Sequence, residues 1–186
     1  MPRIEAVDMD NSGVLNRFAG RFARKRYGAS LDPLAVSANH APLMRAGAVH
    51  EMLVERASTE LPENVRELAV YRTAVRLGCS WCIDFGTMLQ LHHGLDIERL
   101  EHIDEYATSD LYSRAERLAI AYADAMTATP VDVTDAQVAE LEAEFGRKGV
   151  VELTYHVALE NMRARTNSAL GIPAQGFAES CALPVD

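Results

Sequence analysis

Apolar residues recur three and four positions apart over most of the chain, a spacing that is typical of amphipathic α-helices. Alternating runs of β-branched residues, which would predict strands, are almost absent. Glycine, proline and capping residues interrupt the helical pattern at short intervals, so the connections between helices are expected to be short. The sequence therefore predicts an all-α fold, a multi-helix bundle.

Start and stop signals divide this pattern into about eight helices. Asp32 followed by Pro33 is expected to open one helix, and Pro42 the next. Ser113 and Glu116 have the spacing of a capping box at the start of a later helix. The other boundaries are expected near Gly28, Ala57, Glu63, Leu77, Cys79–Ser80, His93, Thr127, Thr134–Asp135, Gly146, Val150 and Leu170.

A single domain is expected for the 186 residues, because a chain of this length can bury one core without disulfide support. No long linker, low-complexity segment or internal repeat divides it. The first helix gives an N-terminal region over about residues 1–30. The stretch from Pro173 onward is expected to be irregular, with residues 178–186 forming a tail.

Acidic residues outnumber basic ones, giving a formal net charge of −9 and an isoelectric point near 5.1. Such a charge repels phosphate backbones and anionic lipid, so neither nucleic acid nor membrane is expected as a partner. No apolar run reaches the roughly 18 residues of a membrane span, and the N-terminus lacks a signal-peptide pattern. Three cysteines are too few for a disulfide framework. These features predict a cytoplasmic protein.

The motif Cys79-Ser80-Trp81-Cys82 carries the strongest chemical signal. It follows a predicted helix end at Gly78, which places both cysteines near the start of the next helix. Unpaired N–H groups and the positive end of the helix dipole favour a thiolate over a thiol there. Thiolate is the form of cysteine that attacks peroxides and disulfides, so the motif predicts a redox-active pair.

Two simpler interpretations of this cysteine pair remain open. Both residues are small enough to be ordinary core residues. Alternatively, they form half of a zinc site with His92, His93 or His102, although the chain has no second cysteine pair and two of these histidines are adjacent. A thioredoxin fold is excluded because a predicted helix, not a strand, precedes the motif. Neither a metal ion nor a cofactor is expected.

Glu67 is the second candidate site residue, twelve positions before Cys79 on the preceding predicted helix. Its neighbours Arg66, Arg72 and Arg76 are compatible with a solvated helix face. If the two helices instead pack as a hairpin, the carboxylate points toward the thiols, where it can accept a proton. The spacing alone does not separate these alternatives.

The chain resembles the alkylhydroperoxidase D-like and carboxymuconolactone decarboxylase-like family in one combined motif. In this motif, eleven residues separate Glu67 from Cys79, and two residues separate Cys79 from Cys82. Residues 34–68 are similar to the family's helices that lead into the thiol hairpin. Residues 160–177 are similar to its final helix, with Asn161, Arg165 and Asn167. The similarity therefore covers most of residues 34–177.

This resemblance implies a thiol peroxidase, peroxiredoxin-like in activity, and a homo-oligomer. Cys82 would attack the hydroperoxide substrate, Cys79 would resolve the sulfenic acid to a disulfide, and Glu67 would belong to the proton relay. A dithiol or protein-disulfide electron donor would then reduce the pair. The family's decarboxylase branch generally lacks the two cysteines, which argues against that activity. A non-catalytic or redox-sensing member is the other alternative.

The chain departs from the family pattern at Gly86, where the peroxidases usually carry a histidine one turn after the second cysteine. A glycine inside a helix costs about 0.5–1 kcal/mol relative to alanine, which predicts that another group packs closely against it. Asp84 lies on a different helix face and cannot replace the histidine. His156 is a distant candidate base whose default role is structural. Trp81 is expected to pack, and Cys181 to be a free surface thiol.

Overall fold

The computed structural model of the protein describes residues 1–92, 94 and 97–180. Within these ranges it contains nine α-helices and two short 3-10 turns, and no strand. The predicted all-α bundle is therefore confirmed. The helices are α1 (Gly13–Tyr27), α2 (Asp32–Ser37), α3 (Ala41–Ala57), α4 (Glu63–Arg76), α5 (Ser80–His92), α6 (Ile97–Glu101), α7 (Arg114–Thr127), α8 (Asp135–Leu170) and α9 (Phe177–Ser180).

Local signals account for most of the helix boundaries. Gly28 and Gly171 end α1 and α8 in the left-handed conformation, which glycine adopts without steric cost. The predicted capping box is present, since Ser113 accepts a hydrogen bond from the backbone N–H of Glu116 and the Glu116 carboxylate accepts from that of Ser113. Gly146 has the non-helical angles φ 68° and ψ 171°, so α8 consists of two helical segments that meet at a kink where the sequence predicted a helix end.

Three details differ from the expectation. Asp32 lies inside the first turn of α2, and Leu31 precedes the helix in its place. Helix α6 was not predicted, because its apolar pattern is only about one turn long. The stretch expected to be irregular from Pro173 contains α9, and Phe177 in that helix is buried. Residues 181–186, the rest of the expected tail, lie outside the described residues, as does His93.

Helix α4 lies at the centre of the bundle, in contact with α5, α7 and α8. Leu68 and Ala69 on this helix have no solvent exposure. Arg72 is also buried, and its guanidinium is paired with Asp104 and with Asp124, whose carboxylate oxygen lies 2.6 Å from Nε. A buried cation needs such partners, because removing it from water without them is costly. This bridge links α4 to α7 and to the turn after α6.

The segment after α8 is attached to α5 by the Asp84 carboxylate. Its oxygens accept hydrogen bonds from the backbone N–H groups of Gln175 (2.8 Å), Gly176 (2.8 Å) and Ala178 (2.9 Å). The side-chain oxygen of Gln175 in turn accepts from Trp81 Nε1 at 2.7 Å. Asp84 thus supplies the partners that the start of α9 needs, and it holds the segment against the helix that carries the cysteines.

Within the described ranges, none of the helices combines the length and the apolar character that crossing a bilayer requires.

Replacing Asp84 with Ala is expected to lower the free energy of unfolding by about 2 kcal/mol, because three backbone N–H groups lose their acceptor. The variant should also be cleaved faster by protease between residues 171 and 180. Urea denaturation and limited proteolysis measure the two effects. The control is Asp10→Ala, which removes an exposed carboxylate paired with Arg24 and should change stability by less than about 0.5 kcal/mol. Equal stabilities of the two variants would contradict this role for Asp84.

Candidate active site

The turn between α4 and α5 places both cysteines at a helix start. Gly78 has φ of 63°, and the backbone N–H of Cys79 donates back to Ala74 O at 3.1 Å. The carbonyl of Cys79 then accepts the first hydrogen bond of α5, from Ile83 N at 2.9 Å. Its sulfur lies 3.3 Å from the backbone N of Cys82, which donates to it. Cys79 therefore occupies the N-cap position, where a negatively charged sulfur is favoured.

The two cysteines form a disulfide, with their Cα atoms 5.3 Å apart. Cys79 is 2% exposed and Cys82 is 8% exposed. Trp81 stacks on Phe85 with ring centroids 4.7 Å apart, and Phe177 packs edge-on against both rings. The expected packing role of Trp81 is confirmed. These side chains shield the disulfide from solvent.

Asn167 is the polar side chain that contacts the sulfurs from another helix, and the sequence interpretation gave it no role. Its Nδ2 donates to Cys82 Sγ at 3.5 Å and lies 4.0 Å from Cys79 Sγ. The residue is buried in the last turn of α8, where Gly171 caps the helix and Ile172 N donates to Asn167 O at 2.9 Å. The sequence signal that could have identified Asn167 is an amide side chain on the predicted buried face of the last long helix.

Glu67 lies on the α4 face that packs against α5, as the hairpin alternative required. Its carboxylate oxygens accept from Arg66 Nε at 3.2 Å and from Gln90 Nε2 at 3.4 Å. Gln90 is eight residues after Cys82, which corresponds to about 12 Å along the helix axis. The structure therefore brings Glu67 to the partner helix but two turns from the sulfurs. Its role in a proton relay stays a prediction.

Gly86 is packed against the ring of Tyr71. A Cβ atom at position 86 would lie 3.2 Å from Tyr71 Cδ2, so the ring must shift before any side chain fits there. The close contact expected from the glycine is therefore present, and a histidine cannot be accommodated without rearrangement. Asp84, the nearby carboxylate, is engaged with the C-terminal segment and does not replace that histidine.

A buried carboxyl group lies near Glu67 on the neighbouring helix α8. Glu160 pairs with Arg163 at 3.3 Å, and Arg163 Nε donates to Glu51 at 2.9 Å. Within the described part of the chain, Glu160 Oε1 and Gln90 Oε1 are buried and make no hydrogen bond. Burial raises the pKa of Glu160 to about 7, despite the nearby guanidinium.

His156 lies one turn before Glu160 on the same buried face of α8. Its Nε2 is 2.7 Å from Ser58 Oγ, and both residues line a groove of about 690 Å³ between α3 and α8. Burial lowers the pKa of His156 to about 4, so the ring is neutral at pH 7. Asn167 is eleven residues further on, about 16 Å along the helix, so His156 is no base for the sulfurs.

No group of three or more metal-binding side chains converges anywhere in residues 1–92, 94 and 97–180. The candidate zinc ligand His93 and the third cysteine, Cys181, lie outside those ranges. The structure places Cys79 and Cys82 in a disulfide, so their described partners are each other and Asn167.

Residues 44–125, which include the cysteine motif, match the model of the carboxymuconolactone decarboxylase family. The chain is also 33% identical over 161 residues to the uncharacterised protein YnjA of Escherichia coli strain K12, covering 87% of both chains. The chain belongs to the carboxymuconolactone decarboxylase family. The predicted family membership is thereby confirmed.

Solved structures share the fold of this chain over nearly its whole length. An uncharacterised peroxidase-related protein from Ralstonia eutropha JMP134, described as an alkylhydroperoxidase AhpD core, has a TM-score of 0.84 at 15% identity, covering 99% of this chain and 98% of its own. The debrominase Bmp8 in complex with 2,3,4-tribromopyrrole has a TM-score of 0.83 at 16% identity, covering 96% and 94%. At these identities the likeness establishes the fold.

Two buried groups on α8, Glu160 and His156, contribute to the stability of the fold with opposite dependences on pH. Unfolded Glu160 releases its proton near pH 4.5 and folded Glu160 near 7, so its contribution to stability falls as the pH rises between these values. Unfolded His156 takes up a proton below pH 6.5 and folded His156 only near 4. Its contribution to stability therefore rises with pH between 4 and 6.5. The rise from His156 and the fall from Glu160 nearly cancel where these pH intervals overlap.

Replacing Glu160 with Gln removes the fall in stability with rising pH that Glu160 causes. The variant should gain stability relative to the wild type as the pH rises from 4.5 to 7, by up to about 3 kcal/mol. Urea denaturation at several pH values measures the difference. Glu140→Gln, an exposed change on the same helix, should show no such trend. A constant difference between Glu160→Gln and wild type would show that Glu160 titrates normally.

Proposed function

We propose that the protein is a thiol-dependent peroxidase that reduces hydroperoxides through a dithiol/disulfide cycle of Cys79 and Cys82. The observation that carries the proposal is the bonded pair at the start of α5, with Cys79 as the N-cap and Cys82 in the first turn, where the helix start favours a thiolate. Family membership adds weight, because relatives with this fold include peroxidase-related proteins. Cys82 is the more exposed of the two residues, at 8% against 2% for Cys79, which agrees with its proposed role as the attacking thiol.

The cycle has three steps. The Cys82 thiolate attacks a peroxide oxygen, so that an S–O bond forms as the O–O bond breaks, leaving a sulfenic acid and an alkoxide that takes up a proton. The Cys79 thiol attacks the sulfenic sulfur, an S–S bond forms, and water leaves with the thiol proton. An external dithiol then exchanges with the disulfide, giving it two electrons and two protons. A reducing cytoplasm supplies such a donor.

Proton transfer is proposed to involve Glu67, although not by direct contact with sulfur. The path from its carboxylate passes Gln90 and must cross two turns of α5, where Gly86 contributes no side chain. We therefore expect Glu67 to accelerate the peroxide step less than a contacting base would. Peroxide and reductant also have to displace covering side chains such as Trp81, because the disulfide is shielded.

A non-catalytic redox sensor is the second candidate function. The burial of both cysteines favours it, because a sensor needs to react once and change its fold, whereas an enzyme must exchange substrates continually.

The debrominase Bmp8 shares the fold of this chain, so a brominated pyrrole is a further substrate class to be assayed.

Turnover of an organic hydroperoxide with dithiothreitol as donor is expected for the wild type and absent for Cys82→Ser, since the attacking sulfur is missing. Cys79→Ser should react once and accumulate a sulfenic acid, detected by mass spectrometry as the gain of one oxygen atom. Glu67→Gln is expected to slow the reaction by less than about 100-fold. Cys181→Ser is the matched control and should keep full activity.

The other functions give different results in the same experiment. A single oxidation of the pair without turnover would favour the sensor. Loss of bromide from 2,3,4-tribromopyrrole, or decarboxylation of a lactone acid, in the absence of peroxide turnover would replace the proposed activity. Turnover that survives in Cys82→Ser would contradict the assigned roles.

We further propose that the protein acts as a homo-oligomer whose interface covers α3. Only Met44 is buried among the 17 residues of this helix, and short helices owe most of their stability to packing. Neighbouring α1 has five basic and no acidic side chains on a chain of net charge −9, so it complements an acidic surface of a second copy. Exposed apolar side chains on the two helices are Val14, Leu15, Phe18, Phe22, Leu43, Val49, Met52 and Leu53.

Changing Val49 and Leu53 together to Glu should dissociate this oligomer, because charges would be buried at the interface. Sedimentation at micromolar concentration measures the result as a shift toward a 20.4 kDa species. Val131→Glu, at an exposed apolar residue before α8, should leave the oligomer intact. A wild-type protein that sediments as a monomer would refute the proposal.

A further inference from the structure

We propose that Asn167 is a catalytic residue of the dithiol site, whose side-chain amide donates a hydrogen bond to the Cys82 thiolate and so directs the negative charge to that sulfur. The inference rests on the proposed dithiol cycle. It adds a residue outside the family motif to the machinery, on a helix 85 residues further along the chain.

The geometry gives Cys82 the shorter contact. Asn167 Nδ2 lies 3.5 Å from Cys82 Sγ and 4.0 Å from Cys79 Sγ. The sulfur of Cys79 already accepts from the backbone N–H of Cys82, whereas the side-chain amide is the described donor to Cys82 Sγ. Cys79 Sγ thus has a backbone donor as well as the longer contact with Asn167, while the shorter contact of the amide, from α8, is with Cys82 Sγ.

The position of the amide is fixed by the end of its helix. Asn167 is 4% exposed, so its side chain has little room to turn away. Its carbonyl accepts from Ile172 N at 2.9 Å, in the glycine-terminated cap of α8. A donor held in place before the charge develops stabilises that charge without the cost of ordering a mobile group.

The other charged groups are held elsewhere. Asp84 on α5 accepts from the C-terminal segment, and Glu67 on α4 pairs with Gln90. Glu160 and Arg163 on α8 pair with each other, one to two turns before Asn167. Apolar side chains from α2, α4, α8 and the C-terminal segment pack in the same buried cluster as the two cysteines, and they include Val36, Ala74, Ala164, Ile172 and Phe177. The amide therefore donates beside a buried apolar cluster, where a hydrogen bond to a thiolate is stronger than in water.

A thiolate accepts this hydrogen bond better than a disulfide sulfur does, because the negative charge strengthens it. The amide should therefore favour the thiolate of Cys82 over its thiol, and the reduced pair over the disulfide. Both consequences can be measured separately from peroxide turnover.

Asn167→Leu has a similar size and lacks the donor, while Asn167→Asp keeps the shape and puts a carboxylate against the sulfur. In a Cys79→Ser background, the rate of Cys82 alkylation by iodoacetamide is followed against pH by mass spectrometry. The midpoint should rise by about one pH unit in the Leu variant and by more in the Asp variant. Asn161→Leu removes an amide six residues earlier on α8 that bonds Thr127, and it should leave the midpoint unchanged.

Equilibration with glutathione, in the chain that keeps both cysteines, gives a second readout. The disulfide of Asn167→Leu should be about tenfold harder to reduce, a change of about 30 mV. Trp81, the one tryptophan of the chain, lies between the cysteines and reports the redox state by fluorescence. Circular dichroism checks folding, and the isosteric Asp variant decides the question if the Leu variant does not fold.

Equal alkylation midpoints in wild type, Asn161→Leu and the Asn167 variants would overturn the inference. If the midpoints shift as expected but the wild type never reduces hydroperoxides, Asn167 tunes the thiol as proposed and the peroxidase function fails instead. The two proposals are therefore tested independently.

Discussion

The reversal of the chain at Gly78 is the constraint on which the rest of the site depends. Its left-handed backbone ends α4 and lets α5 begin two residues later, so Cys79 becomes the N-cap and Cys82 lies in the first turn. The hydrogen bond from Cys82 N to Cys79 Sγ follows directly from this geometry. A helix start offers polarised N–H groups that need partners, and here sulfur is the partner. The reactivity proposed for the pair comes from this backbone arrangement.

Helix α8 adds buried polar groups to those of the cysteine hairpin. Asn167, Glu160 and His156 occupy the face of α8 that is otherwise packed with apolar residues. Burial drives the two titratable groups toward their neutral forms, raising the pKa of Glu160 to about 7 and lowering that of His156 to about 4. The bundle interior therefore tolerates polar side chains by keeping most of them uncharged or paired, as Arg163 is with Glu51.

The sequence predicted what is determined locally. Glycines with positive φ, the Ser113 capping box and the cysteine spacing each act within a few residues, and they appear where expected. The contact of Asn167 with the sulfurs depends on how α8 packs against α5, which no local pattern encodes. The same holds for the C-terminal segment, whose docking on Asp84 joins residues about ninety positions apart.

The position of Glu67 along the α4–α5 hairpin could be predicted only in part from the sequence. Glu67 lies about as many residues before the turn at Gly78 as Gln90 lies after it, so the two residues face each other across the hairpin. This register alone places the carboxylate two helical turns from Cys82. The spacing of twelve residues identified the residue but not its distance from the sulfurs. Tyr71 is similarly the close neighbour of Gly86 that the sequence indicated without identifying it, and its ring would have to move slightly to admit a side chain.

The covering of the disulfide by late parts of the chain has a consequence for biosynthesis. Cys79 and Cys82 leave the ribosome well before Asn167 and Phe177, which are needed to bury them. Until translation reaches those residues, the nascent thiols meet the cellular redox buffer directly. At that stage they react as exposed thiols, and the contacts with Asn167 and Phe177 form only once the end of the chain has folded.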